Sequence, residues 1–214
     1  MTPSPDESAG PAAGPLLERA DAAASASPDK AAALYRELLA SVPDHVEARL
    51  HLARVLDLRG ELDEAVSTLT AGLKWAPDNV ELLLLRGSYL GRLRRYRESE
   101  ADLRAILRSH PSHGPAHFEL GQLAWRRSVA AEAAAHFTRA LDCQPLDGRI
   151  YYYLAEALNL MGDLAGANGV LDRALEATPR DGKDYHLRGR VLDRLGRPDE
   201  ARAMYQRSRE LQDL

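Results

Sequence analysis

The stretch "GELDEAVSTLTAGLKWAP" at Gly60–Pro77 contains small, polar and apolar residues and nothing reactive, yet "GDLAGANGVLDRALEATP" at Gly162–Pro179 follows the same plan. Both open on Gly, carry Leu third, Ala sixth and Leu tenth, and close on Pro, and they lie three periods of 34 residues apart. Pro43, Pro77, Pro111, Pro145 and Pro179 mark that period, one every 34 residues. Each follows a run with helical apolar spacing, and proline ends a helix because it lacks the N–H and its ring clashes with the preceding turn. In a chain that repeats one segment in phase, function lies in the surface the copies build together.

Giving the proline position 32 divides the chain into copies at 12–45, 46–79, 80–113, 114–147, 148–181 and 182–214. Position 20 is then small throughout, at Ala31, Ala65, Ser99, Ala133, Ala167 and Ala201. Position 8 is small from the second copy on, at Ala53, Gly87, Gly121, Ala155 and Gly189. Position 24 is always large, at Tyr35, Leu69, Leu103, Phe137, Leu171 and Tyr205, and position 11 holds Leu56, Leu90, Ala124, Leu158 and Leu192. The pattern predicts two antiparallel helices per copy, in close approach at the small positions, with the large side chains filling the space beside that contact. Gly60, Gly162 and Gly196, at position 15, suit the turn between the helices, where a positive φ is easy for glycine. No segment shows period-two alternation, so no sheet is predicted.

Composition sets the outer bounds. At 45% hydrophobic and 28% charged, the chain is globular rather than disordered. A net charge of −4 argues against a protein that coats nucleic-acid phosphates. Cys143 is the sole cysteine, which excludes an intrachain disulfide or a cysteine zinc site and predicts a buried, structural thiol. The N-terminal "MTPSPDESAGPAAGP" has neither a basic nor an apolar signal-peptide region, and no run approaches the length of a membrane span, so a cytoplasmic protein with no membrane contact is expected. Its Pro, Ser, Ala and Gly predict a mobile tail over 1–14, ahead of a repeat domain over 15–214.

The period and the columns at positions 8, 20 and 32 resemble the tetratricopeptide repeat (TPR) family, over residues 12–214. The resemblance implies an all-α, right-handed superhelical solenoid of about six antiparallel helix pairs. The family's frequent Trp at position 4 is replaced by Arg49, Leu83, His117, Tyr151 and Tyr185. At position 7, where Leu is usual, stand Arg86 and Arg188, whose stems are expected to pack while their heads run out to solvent. The first copy has Pro15 in place of the aromatic and Glu18–Arg19 where Leu–Gly is usual, so its first helix departs most from the pattern. Position 28 is Leu73, Leu107, Leu141 and Leu175 in interior copies but Arg209 in the last. With Arg202, Gln206 and Gln212 it makes the final helix a polar cap, so no catalytic domain is expected.

The resemblance also implies a concave groove lined by the first helix of each pair. Position 5 contributes Leu50, Leu84, Phe118, Tyr152 and His186; position 6 adds His51 and Tyr153; position 9 gives Arg54, Ser88, Gln122, Glu156 and Arg190. Position 12 includes Trp125 and Asn159, and position 13 includes Arg92, Arg126 and Arg194. Aromatic anchors beside arginines suit the capture of another protein's peptide or helical segment. The alternative for the aromatics is packing between helices. The family's carboxylate clamp for chaperone C-termini is absent, since position 5 never holds Lys and position 6 holds Leu17, His51, Leu85, Glu119, Tyr153 and Leu187. The function expected is a non-catalytic adaptor without cofactor or metal. The rival is a structural or assembly subunit contacting through convex faces or repeat ends. His110, His113 and His117 form the one metal-like cluster, and no cysteine or carboxylate completes it; a surface loop is expected there. The third copy's Arg94, Arg95, Arg97, Arg104 and Arg108 interleave with Glu98, Glu100 and Asp102, which predicts an ion-paired helix surface.

Overall fold

The computed structural model describes residues 13–143, 147–177 and 182–212, and among them there are twelve helices and no strand. Pro145 and Pro179, and residues 1–12 of the expected tail, lie outside the described residues. The chain divides between Ile106 and Leu107 into two compact units. The first holds the pairs α1 (Ala13–Ala24) with α2 (Pro28–Ser41), α3 (Val46–Leu58) with α4 (Leu62–Leu73), and α5 (Val80–Arg92) with α6 (Tyr96–Ser109), the last of which crosses the division. The second holds α7 (Gly114–Arg126) with α8 (Ala130–Cys143), α9 (Gly148–Met161) with α10 (Leu164–Ala177), and α11 (Gly182–Arg194) with α12 (Pro198–Gln212). Within each unit, the second helix of one pair also packs on the first helix of the next: α2 on α3 and α4 on α5, then α8 on α9 and α10 on α11.

Three of the pairs are built around one asymmetric contact. A Cβ added at Gly121 would lie 2.5 Å from Phe137 Cε1, one at Gly189 2.5 Å from Tyr205 Cε1, and one at Gly87 3.0 Å from Leu103. The bare α-carbon at position 8 therefore receives the large side chain from position 24 directly, rather than only bringing the two backbones together. In the third copy the backbones are joined as well: Ser99 Oγ donates 2.7 Å to the Gly87 carbonyl oxygen, which explains a hydroxyl at position 20. Tyr35, Leu69, Leu103, Phe137 and Leu171, all from position 24, are fully buried. Burying a side chain of that size contributes about 2 kcal/mol.

Five of the six turns inside the pairs share one backbone conformation. Gly60, Gly162 and Gly196 have φ of 78°, 83° and 73°. The same place in the third and fourth copies is occupied by Arg94 and Ser128, each at φ 60°. A side chain in the left-handed region costs about 1 kcal/mol, so these two turns are held by the helices they join.

Helix starts follow a second column that the sequence reading passed over. At position 34, His45 Nδ1 accepts from the Ala48 amide (3.2 Å), Asn79 Oδ1 from Leu82 (2.9 Å), His113 Nδ1 from Ala116 (3.1 Å), and Asp147 Oδ1 from Arg149 (3.0 Å). Each satisfies one of the amides that a helix start leaves without a partner inside the helix. The first copy is helical too, since Pro15 falls in the first turn of α1, where a missing N–H breaks no bond.

Two expectations are corrected. The position-7 arginines do not send their heads to open solvent. Arg86 donates from Nε and Nη2 to the two oxygens of buried Asp102, both at 2.7 Å, and from Nη1 to Thr70 at 3.1 Å. Arg188 pairs with Asp172 and donates to Asn168. A carboxylate within reach at the edge of the core is a better partner for a half-desolvated guanidinium than water across an apolar gap. Cys143 is exposed, not buried. It ends α8 about 200° around the helix from buried Leu141, so Leu141 and Ala140 take the inner face.

Gly121→Ala forces the buried Phe137 ring to move and is expected to destabilise the chain by about 2 kcal/mol. Ser128→Gly relieves the turn and is expected to stabilise by about 1 kcal/mol. Denaturant unfolding of both variants beside the parent checks the two signs together.

Candidate protein-binding site

In the second unit, α7 and α9 carry a continuous run of aromatic rings. Phe118 meets Tyr153 at 6.0 Å between ring centroids, Trp125 meets Tyr153 at 6.4 Å, and Tyr152 meets Tyr153 at 5.6 Å, all edge to face. Tyr153 stacks on the buried Phe137 ring (5.6 Å), and Phe118 also reaches it (5.8 Å). The four rings are neither core nor fully free: Phe118, Trp125, Tyr152 and Tyr153 are all half-buried. Phe118, Trp125 and Tyr153 rest on the core formed by Ala124, Phe137, Ile150 and Leu154, while Tyr152 packs on the neighbouring core of Ala155, Leu171 and Leu187. The guanidinium of Arg149 lies 5.3 Å from the centroid of the Phe118 ring, a cation–π contact. Burial, then the Glu156 carboxylate that accepts from its hydroxyl at 3.3 Å, push the Tyr152 phenol above its ordinary range, so the ring stays neutral.

The polar residues expected to flank the groove divide into two sets. Some link successive first helices. Arg190 pairs with Glu156, exactly one period earlier in position, and Arg194 donates to both the backbone carbonyl (2.6 Å) and the side chain of Asn159. In the first unit Arg92 pairs with Asp57 at 2.7 Å, in the same register as Arg194 with Asn159. Gln122 and Asn159 are buried, and His186 lies 5.4 Å from the Tyr205 ring. By contrast, Arg54 and Arg126 are exposed and make no hydrogen bond or ion pair among the described residues.

In the first unit Leu50 is buried, while Leu84 and Ser88 are half-buried. His51 and Tyr35 both bond Asp21 Oδ1, from Nδ1 at 2.7 Å and from Oη at 2.5 Å. Burial works against ionising Asp21, but the hydrogen bonds from Tyr35 and His51 prevail and hold its carboxyl below the ordinary range. These groups border a cavity of about 380 Å³ between α1, α2 and α3, lined also by Ala24, Arg54, Val55 and Leu58. Sequence reading brought His51 and Arg54 to this face but missed the cavity, because Asp21 and Ala24 come from the copy whose pattern is weakest.

Tandem pairs of helices in a 34-residue register, with aromatic rings meeting between α7 and α9, define a helical-repeat protein. Tetratricopeptide repeat models match residues 22–88 with 130–191, 84–147, and 185–212, and the chain belongs to that family. Its members are generally protein-interaction modules. Among solved structures the chain is similar to PilW, described as a widely conserved type IV pilus biogenesis factor, at 23% identity and a TM-score of 0.80, covering 92% of this chain and 91% of that one. It is similar to Pseudomonas aeruginosa PilF at 18% identity and a TM-score of 0.78, covering 90% and 88%. It is also similar to YrrB, described as a TPR protein with an unusual peptide-binding site, at 16% identity and a TM-score of 0.66, covering 84% and 92%. No curated protein matches. Among the described residues, no group of three or more His, Cys, Asp or Glu could hold a metal ion, and no helix is long and apolar enough to cross a membrane.

The histidine cluster has structural work instead. His113 caps α7, and His117 is buried, with Nε2 3.0 Å from the Pro111 carbonyl and Nδ1 3.2 Å from His136 Nδ1. Burial, then the neighbouring His110 and His117, hold His113 below the ordinary histidine range, and its Nδ1 must be unprotonated to cap. A histidine depressed in the folded state contributes stability that is complete above its unfolded pKa, about 6.5, and declines as pH falls through that value toward the folded one. Melting temperature is therefore expected to fall between about pH 7 and 5. His113→Asn keeps an acceptor that does not titrate there and is expected to show a shallower fall, read as Tm against pH for the two chains.

Proposed function

We propose that the chain is a non-catalytic adaptor that holds a segment of another protein in a groove lined by its first helices, with aromatic anchors and arginine flanks. The aromatic run on α7 and α9 carries this reading: of four linked rings, Phe118 and Tyr153 rest on Phe137, and all four are half-buried. Rings held from below present area to a ligand with little entropy left to lose on binding. Arg126, exposed and without a partner among the described residues, stands one residue beyond Trp125 and supplies charge selection beside the anchor. The described peptide-binding site of YrrB is a parallel in the same fold.

An assembly role has one observation in its favour. Trp75, two residues past the end of α4, is 62% exposed and lies outside the first helices. The two readings separate in one capture experiment from a lysate of the native host. Replacing Phe118, Trp125 and Tyr152 by Ala is expected to reduce capture at least tenfold while helical circular dichroism at 20 °C persists. Trp75→Ala is expected to leave capture intact. The opposite pattern overturns the groove reading in favour of assembly through the α4 end.

A further inference from the structure

The strongest unassigned feature is the cavity between α1, α2 and α3, and the repeat frame shows what it lacks. In the last two copies, position 9 holds a matched pair, with Arg190 bonded to Glu156 on the preceding first helix. Arg54 is the position-9 arginine of the second copy, and the corresponding place one period earlier is Ala20, which has no carboxylate and is fully buried. The neighbouring link is missing too. Where Arg92 and Arg194 reach back to Asp57 and Asn159, the second copy has Leu58, 73% exposed, facing the short side chains at the end of α1. The result is an apolar cavity of about 380 Å³, walled by Ala24, Val55, Leu58 and the Tyr35 ring, with a guanidinium on its lining that has no partner among the described residues. The carboxylate that does line the cavity, Asp21, is engaged through one oxygen by Tyr35 and His51 and does not pair with Arg54.

We propose that this cavity is a docking site for an acidic peptide segment of a partner, which places an aliphatic side chain among Ala24, Val55 and Leu58 and the carboxylate of an adjacent Glu on Arg54. The proposal rests on the adaptor reading and gives it a ligand chemistry in the first unit. The ligand restores the group the array uses elsewhere, a glutamate side chain reaching a position-9 arginine in a charge-assisted contact. Burial of the aliphatic side chain against Ala24, Val55 and Leu58 supplies the affinity while the ion pair selects the sequence.

The test is a methyl NMR titration of the full chain, labelled at Leu and Val, with the blocked peptide acetyl-Gly-Ser-Leu-Glu-Ser-Gly-amide. Saturable shifts are expected at the Val55 and Leu58 methyls. The Leu-Gln and Ser-Glu versions of the peptide, and the Arg54→Gln chain with the original peptide, are each expected to bind about tenfold more weakly. Equal binding of the Leu-Gln peptide, shifts elsewhere without Val55 and Leu58, or no shift at about 10 mM peptide each overturns the proposal. A peptide that requires a free C-terminal carboxylate to bind does so as well. None of these results bears on capture through Phe118, Trp125 and Tyr152, so this proposal and the adaptor reading fail separately.

Discussion

The structure depends on a single steric exchange, the large side chain of position 24 set against a small or missing side chain at position 8 from the second copy on. Phe137 over Gly121 and Tyr205 over Gly189 fill the space that a Cβ at position 8 would take. The same ring of Phe137 then supports Phe118 and Tyr153 on the outer face. Core packing and candidate site are thus one stack: a glycine beneath, a buried ring in the middle, half-open rings above. A change at Gly121 therefore reaches the partner-facing rings through one intermediate side chain.

Much of this was legible because repetition converts a weak local pattern into a column. The helix pairs, the absence of strands and the small-and-large columns followed from residues that recur in phase, and the three turn glycines have the positive φ that their place required. What escaped was whatever varies in chemical type while keeping its role. The helix caps are written His, Asn, His and Asp, four readings of one acceptor, and no single-letter column reveals them. Arg94 and Ser128 occupy a left-handed turn that neither residue announces. Cys143 was misjudged by composition, since a helix's last residue can leave the apolar face that its neighbours define.

The site was legible in part. The spacing placed Phe118, Trp125, Tyr152 and Tyr153 on first helices, and their rings do meet. Arginine roles were harder to read, because the sequence gives charge without partner. Arg92, Arg190 and Arg194 spend their charge on Asp57, Glu156 and Asn159 of the neighbouring first helix, whereas Arg54 and Arg126 do not. Only the frame-shifted comparison of one copy with the next separates the two kinds.

The place of the caps bears on how such a chain can lengthen or shorten. Each of the four acceptors stands at position 34, immediately before the helix it serves, so the first four copies end on the group that the next helix start requires. Excising 148–181 would set Asp147 directly before Gly182, the same dipeptide that now opens α9. Loss of that one whole period therefore keeps an acceptor in front of the helix that follows.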